Sequence, residues 1–158
     1  MTERLSMQDV DPAALKAMYG LEGYLARCPV PRRTLHLMKL RASQINGCAF
    51  CTDMHAHELK AEGESDERLF SVVTWREAPW FTPEERAALA LTEEATRMGP
   101  GGVSDETWAE AERHYSPSEL AALVTAIATI TAWNVLNVAV RTTPGMLRRA
   151  AAPAAAPA

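Results

Sequence analysis

The sequence of 158 residues has no cluster of basic residues, and this absence limits the kinds of partner that we expect. Its formal net charge is -4, and acidic and basic side chains are interspersed along the chain. A protein that binds nucleic acid usually concentrates lysine and arginine on one surface, where they neutralise phosphates. We therefore expect no nucleic acid partner.

Cysteine is also scarce, with three residues, and the first residues, MTERLSMQDVD, lack a secretory leader. They carry charges of both signs and no apolar core of the kind that a signal peptide needs. We therefore expect a cytoplasmic protein in a reducing compartment, where structural disulfides are rare. In that setting the close pair Cys48 and Cys51 favours catalysis or metal binding over a structural bridge, and Cys28 has no obvious mate.

Charged residues are absent from positions 120–140, a length that could cross a lipid bilayer. The segment contains Asn134 and Asn137, whose amides are costly to place in hydrocarbon. We therefore expect no membrane-spanning segment and predict a central helix of an oligomeric bundle. Its asparagines should be hydrogen-bonded within the subunit or across an oligomer interface, where their function is structural.

Strict alternation of apolar and polar residues is lacking as well, so the sequence predicts no convincing strand. Helix-start signals recur instead. Asp11-Pro12 combines an oxygen cap with a first-turn proline, and capping boxes begin at Thr82 and Ser116. Apolar residues follow at helical spacing. The predicted fold is an all-α bundle in a single domain, with helices at residues 11–27, 32–46, 49–62, 66–76, 83–98, 105–114 and 117–140.

Two segments outside these helices carry proline with small residues. The run Gly99-Pro100-Gly101-Gly102 predicts a loop within the domain. Residues 150–158 are alanine and proline only, and they offer no large side chain to bury. We expect a helical domain at residues 1–149, followed by a disordered tail at 150–158.

Two thiols and an imidazole share one face of a predicted helix in the segment QINGCAFCTDMH, residues 44–55. A helix amino terminus carries partial positive charge, which favours a thiolate. At about 100° per residue, Cys48, Cys51 and His55 lie within an arc of roughly 60°. His55 is placed four residues after Cys51, where it can accept that thiol's proton. Because a sulfenic acid condenses with a neighbouring thiol, the pair suits thiol redox chemistry.

Two other interpretations of this segment stay open. Zinc binds cysteine and histidine, but His57 points about 180° away from Cys48, so a tetrahedral site would need further ligands such as His36. The two cysteines could also fill the core, since cysteine is among the most buried residues. We expect no metal ion, and we place His57 at solvent or at a subunit contact.

The motif C-x-x-C-x-x-x-H after Q-I-N-G, with the later segment REAPWFTPEERAALALTEEATR, resembles the AhpD-like alkylhydroperoxidase branch of the carboxymuconolactone decarboxylase family. The resemblance spans residues 15–140. It implies an all-helical homo-oligomer, often a trimer or hexamer, that reduces organic hydroperoxides without a cofactor. It also implies that Cys51 is the attacking thiol, Cys48 its disulfide partner and His55 part of a proton relay. A dithiol donor, such as a lipoylated or thioredoxin-like protein, would restore the pair.

The sequence departs from this family's pattern at two positions. His36 stands where a glutamate is usual, twelve residues before Cys48, and Phe50 replaces a histidine often found between the cysteines. A neutral imidazole both donates and accepts a proton. We therefore expect His36 to serve as a second proton carrier, although it cannot supply the negative charge of a carboxylate.

Other residues have structural roles in this interpretation. We expect Trp75, Trp80 and Phe81 to close the core. Cys28 is expected to be a small packing residue, and Arg41 to be solvated. The predicted function is thiol-dependent reduction of organic hydroperoxides. The alternatives are a thiol-disulfide exchange protein or redox sensor without peroxidase turnover and, less favoured, a zinc-binding or interaction protein.

Overall fold

The structure, a computed structural model, describes residues 2–146, and all regular structure in that range is helical. The absence of strands from these residues confirms the predicted all-α fold. The predicted tail at 150–158 lies outside the described residues. The α-helices are α1 Met7–Val10, α2 Pro12–Leu25, α3 Arg32–Ile45, α4 Ala49–Ala61, α5 Asp66–Ser71, α6 Pro83–Arg97, α7 Asp105–His114 and α8 Pro117–Val140. A 3-10 helix, Val72–Thr74, follows α5.

The helix starts follow the local signals in the sequence. The Asp11 carboxylate accepts hydrogen bonds from two backbone N–H groups at the start of α2. Reciprocal capping boxes open α6 and α8, where Thr82 pairs with Glu85 and Ser116 with Glu119. These contacts satisfy amide groups that have no partner inside the helix, so the boundaries predicted from the caps are confirmed.

Two parts of the chain differ from the predicted helices. The predicted helix at 66–76 ends at Ser71 and continues as the 3-10 helix, a run of three β-branched residues that disfavour the α conformation. The short helix α1 has no predicted counterpart. The segment before it is attached to the end of α8, since the backbone N–H of Arg4 donates to the Val140 carbonyl at 2.8 Å.

Helix α3 forms the centre of the bundle, with α4, α6 and α8 packed around it. Every residue from Thr34 to Ser43 is buried, so this helix has no solvent face over most of its length. One apolar cluster joins residues of α2, α3, α6, α7 and α8, and another lies between α3, α4 and α6. A third cluster joins Ala42 and Ile130 to the two motif cysteines, which places the candidate site where α3, α4 and α8 meet.

A buried carboxylate explains why one expectation for α3 is wrong. Arg41 was expected in solvent, but it is 8 % exposed, and its Nε donates to Glu93 Oε1 at 2.7 Å. Arg76 and Trp75 also donate to Glu93. Burial acts to raise the pKa of Glu93, but the hydrogen bonds from Arg76, Trp75, Arg41 and Arg97 lower it to about 2. Arg41 is therefore held inside by a partner on α6.

The aromatic residues before α6 divide between core and surface. Trp75 and Phe81 are 5 % exposed and belong to one apolar cluster, as expected. Trp80 is 49 % exposed, so the prediction that it closes the core is wrong. The main chain at Trp80 has a different role, because its carbonyl accepts a hydrogen bond from Arg68.

Helix α8 is long and apolar enough to cross a membrane by length and composition alone, with a mean hydropathy of 1.7. It packs against α2, α3, α4 and α6. Asn134 is buried and Asn137 half-buried. Both amides are hydrogen-bonded within the subunit, which confirms one of the two environments expected for them.

Candidate active site

The turn before α4 places the first motif cysteine at a helix start. Gly47 has a φ of 68°, in the left-handed region that favours glycine, so the chain can turn there between α3 and α4. Cys48 is the N-cap residue of α4, and its sulfur accepts a hydrogen bond from the backbone N–H of Cys51 at 3.3 Å. The sulfur therefore occupies the position where the helix dipole favours a negative charge.

Both motif cysteines are free thiols, and they differ in what they face. Cys51 lines a cavity of about 830 Å³, whereas Cys48 does not line it. Both are buried, at 0 % and 1 % exposure respectively. Of the two motif cysteines, Cys51 is therefore the one next to the cavity, although its side chain is covered. Cys28 is partly buried and packs against the first apolar cluster, as expected of a packing residue.

The electrostatics of the pair place its negative charge on Cys48. Hydrogen bonding from the Cys51 thiol, together with the Cys51 backbone and Asn134, outweighs burial and lowers the pKa of Cys48 to about 7. The hydrogen bond to Cys48, burial and the charge on Cys48 raise the pKa of Cys51. Cys51 therefore requires a base to accept its proton before it can act as a nucleophile.

His55 is placed to be that base. It lies on α4 with Cys51, lines the same cavity and is 4 % exposed. Its Nδ1 lies 2.7 Å from Glu58 Oε2, while its Nε2 has no hydrogen-bond partner among the described residues. A carboxylate beside Nδ1 favours the tautomer that keeps a proton there, which leaves Nε2 as the acceptor.

His36 reaches the same group from α3. Its Nε2 lies 3.6 Å from Glu58 Oε2 and its Nδ1 lies 3.3 Å from Glu62 Oε1. The rings of His36 and His55 are 5.9 Å apart, centroid to centroid. Burial lowers the pKa of His36 despite the nearby carboxylates, which favours the neutral imidazole. The structure thus brings both predicted histidines together at Glu58.

Glu58 itself was missed by the sequence analysis. Burial acts to raise its pKa, but the hydrogen bond and charge of His55, with the charges of His36 and Lys39, lower it. The carboxylate is therefore ionised at neutral pH. A signal was present, because Glu58 follows His55 by three residues and so shares its helical face. The site has a carboxylate beside its histidines even though His36 replaces the glutamate of the family pattern.

Asparagines of α8 complete the surroundings of the sulfurs. Asn134 donates to Ser43 Oγ at 3.0 Å and accepts from Asn46 Nδ2 at 3.0 Å, which ties α8 to the turn before the cysteines. Asn137 donates to Cys51 Sγ at 3.5 Å. These amides were expected to be structural, and the contact of Asn137 with sulfur was not foreseen.

The cavity in front of Cys51 has mainly apolar walls. An ion pair between Lys39 and Glu22, at 2.6 Å, lies in its wall, and Trp133 Nε1 donates to the other oxygen of Glu22. The charged pair is thus satisfied without a ligand. The apolar lining includes Leu15, Leu25, Leu35, Phe50, Met54, Trp133, Leu136 and Met146.

His57 lies apart from this group. Its side chain is 54 % exposed and its Nε2 lies 3.7 Å from Asp53 Oδ1, in agreement with the predicted solvent-facing position. Within residues 2–146, no group of three or more histidine, cysteine or acidic side chains is arranged to hold a metal ion.

Known proteins share both the sequence and the fold. Residues 12–94 match the carboxymuconolactone decarboxylase family. YdfG, an uncharacterized protein of Bacillus subtilis, is 36% identical over 139 residues, which are 88% of this chain and 95% of YdfG. YnjA, an uncharacterized protein of Escherichia coli, is 30% identical over 101 residues, 64% of this chain and 55% of YnjA.

Solved structures lead to the same family. A protein of unknown function from Agrobacterium tumefaciens, whose name assigns it to AhpD antioxidant defence proteins, is 36% identical with a TM-score of 0.87 over 90% of this chain and 98% of that one. An AhpD-core, peroxidase-related protein from Ralstonia eutropha shares the fold at 14% identity, with a TM-score of 0.79 over 89% of this chain and 75% of that one.

The likeness to the Agrobacterium protein indicates an antioxidant role at the level of the family, whose name also covers decarboxylases. The family match over half of the chain agrees with the near full-length likeness to YdfG and to the Agrobacterium protein. The chain belongs to the carboxymuconolactone decarboxylase family, as one of its all-helical AhpD-like members.

Proposed function

We propose that the protein reduces organic hydroperoxides with Cys51 as the attacking thiol and Cys48 as the resolving thiol. The observation that carries this proposal is the position of Cys51. Cys51 and His55 both line the cavity, and Nε2 of His55 has no hydrogen-bond partner among the described residues. Cys48 does not line the cavity, and its pKa is lowered to about 7. The two thiols thus have the different properties that attack and resolution require.

The first step oxidises Cys51. Its thiol passes a proton to Nε2 of His55, and the thiolate attacks the terminal oxygen of the hydroperoxide. A sulfur–oxygen bond forms as the oxygen–oxygen bond breaks, which leaves a sulfenic acid on Cys51 and an alkoxide. His55 then gives its proton to the alkoxide, and an alcohol leaves. The sulfur loses two electrons and the peroxide gains them.

The second step forms the disulfide. The Cys48 thiolate attacks the Cys51 sulfur, a sulfur–sulfur bond forms, and the sulfur–oxygen bond breaks. Hydroxide leaves and becomes water by taking a proton. Two of the groups that lower the pKa of Cys48, the backbone N–H of Cys51 and Asn134, stay in place after Cys51 is oxidised, and they favour the Cys48 thiolate in this step.

Glu58 and His36 support the proton transfers in this scheme. The Glu58 carboxylate orients His55 and stabilises the imidazolium that forms when Cys51 loses its proton. His36, close to the same carboxylate oxygen, serves as the second proton carrier. Glu58 thereby supplies the negative charge that His36 cannot.

The burial of the pair limits how a reductant can reach it. With both sulfurs at or below 1 % exposure, a flat protein surface cannot meet them, so a donor must bring its dithiol into the cavity on a narrow arm. A lipoylated protein has such an arm and is favoured over a thioredoxin-like donor on this ground. We further propose a cytoplasmic homo-oligomer, a trimer or hexamer, that requires no cofactor.

Peroxide consumption by the fully reduced protein tests the proposal. With cumene hydroperoxide, the wild type should consume peroxide and lose about 2 Da in intact mass as the disulfide forms. Cys51→Ser should do neither, and Cys28→Ser should do both, because it keeps the pair. A reduced wild-type protein that leaves peroxide untouched contradicts the proposed function.

A thiol-disulfide exchange protein or redox sensor is the second candidate. The N-cap position and lowered pKa of Cys48 favour it, since an attacking thiol works best when its pKa is near the ambient pH. This candidate predicts rapid reaction of the reduced protein with a small disulfide and negligible turnover with hydroperoxide. Comparing the two oxidants on the same preparation separates the candidates.

A further inference from the structure

The amide of Asn137 has its orientation fixed by the main chain. Nδ2 donates to the Trp133 carbonyl at 2.9 Å, one helical turn earlier on α8. A carbonyl oxygen only accepts, so the NH₂ end of the amide and not its oxygen must face it. The second hydrogen of the same nitrogen is then available for Cys51 Sγ, 3.5 Å away.

This contact joins two helices that are distant in the sequence. Asn137 and Cys51 are separated by 86 positions, and both line the cavity. Ala42, Ile130 and the partly buried rings of Phe50 and Trp133 pack around the cysteine pair, and Cys48 and Asn134 are the other polar neighbours of the Cys51 sulfur. In such surroundings a thiolate loses the solvation it has in water, and each N–H aimed at it has a large effect.

Asn134 differs from Asn137 in its main hydrogen bonds. Its amide is held between Ser43 and Asn46, so it fixes the turn that carries Cys48. Asn137 is fixed by its own helix and points one hydrogen at the attacking sulfur. Both amides act to lower the pKa of Cys51, but of the two only Asn137 lines the cavity.

We propose that Asn137 is a catalytic residue that donates its amide N–H to the Cys51 sulfur and stabilises the thiolate that attacks the substrate. The inference deepens the proposed function, on which it rests for turnover. It also makes a claim about the ionisation of Cys51 that holds for any oxidant. Before attack the sulfur carries a full negative charge, and the hydrogen bond stabilises that charged form relative to the thiol.

The test isolates Cys51 as the single thiol. In a protein carrying Cys28→Ser and Cys48→Ser, the rate of alkylation by iodoacetamide is followed against pH, which gives the midpoint of Cys51 ionisation. Asn137→Leu, of similar size, should raise that midpoint by about one pH unit, or about tenfold less thiolate at neutral pH. The rate reached at high pH, where the thiol is fully ionised, should change little.

Two further variants keep the test decisive. Asn137→Ala removes the amide with less risk of overpacking and should raise the midpoint as Asn137→Leu does. Val138→Ala, at an exposed neighbouring position of α8, is the matched control and should leave it in place. An unchanged midpoint in both Asn137 variants, with the helical circular dichroism retained, overturns the inference.

The outcome is independent of the proposed peroxidase activity. If the midpoint shifts but the otherwise unmodified wild type consumes no hydroperoxide, the proposed function fails and the assignment of Asn137 as the group that stabilises the Cys51 thiolate stands. If the wild type consumes hydroperoxide but the midpoint does not shift, the proposed function stands and the role of Asn137 is wrong.

Discussion

Nδ1 of His55 lies 2.7 Å from Oε2 of Glu58 on the same helix, and this contact favours the tautomer in which Nε2 of His55 is the acceptor. The pairing was not apparent from the cysteine motif, although both residues share a helical face. It gives the site an ionised carboxylate in spite of the histidine at position 36.

Removing the negative charge of Glu58 should slow the reduction of peroxide. Glu58→Gln keeps the shape of the side chain but removes the charge that stabilises imidazolium on His55, so peroxide turnover should fall about tenfold or more. Steady-state rates with cumene hydroperoxide and a dithiol measure this effect. Glu67→Gln, which removes the charge of an exposed glutamate on α5, is the control. Equal losses in both variants would argue against a specific role for Glu58.

Removing the Cys51 thiol should raise the pKa of Cys48. The hydrogen bond from Cys51 stabilises the Cys48 thiolate, and without it the pKa should rise from about 7 toward the ordinary value of 9.0. Ultraviolet absorbance of the thiolate against pH, compared between Cys28→Ser and Cys28→Ser with Cys51→Ala, reports the shift. A Cys48 that still ionises near pH 7 in the second protein would show that the helix dipole is the dominant cause.

Filling the cavity should change the choice of substrate. Leu136 lines the cavity, so Leu136→Trp should reduce turnover of cumene hydroperoxide much more than turnover of hydrogen peroxide, which needs little room. The ratio of the two kcat/KM values is the measurement. Val138→Trp, outside the cavity lining on the same helix, should leave the ratio unchanged. Unchanged turnover of both substrates in Leu136→Trp would mean that the peroxide reaches Cys51 by another route.

The Glu93 network should make stability depend on pH in the acid range. Its pKa of about 2 lies below the ordinary 4.5, so its stabilising contribution is present above pH 4.5 and is lost as the pH falls through about 2. Glu93→Gln leaves buried arginine charge uncompensated and should cost about 3 kcal/mol at neutral pH. Urea denaturation measures both effects, with exposed Glu77→Gln as the control. A variant as stable as wild type would show that the network adds nothing to stability.

Much of the fold could be predicted because helix boundaries depend on neighbouring residues. The caps at Asp11, Thr82 and Ser116 act within one turn, and the structure has helices where these signals predict them. Burial could not be predicted in the same way. Arg41 and Trp80 were placed wrongly because the helix that covers a position, here α6 for Arg41, is not visible in the local pattern.

For the candidate site, the sequence by itself determined which thiols and imidazole share a helical face, since that follows from 3.6 residues per turn. It also determined the family, through a motif whose spacing is local. Only the tertiary structure decided how α3, α4 and α8 meet: that Glu58 lies between His36 and His55, that Asn137 contacts Cys51, and that Cys51 lines the cavity. The physical reason is that ionisation depends on burial and on charges from distant segments, which become neighbours only when the chain folds.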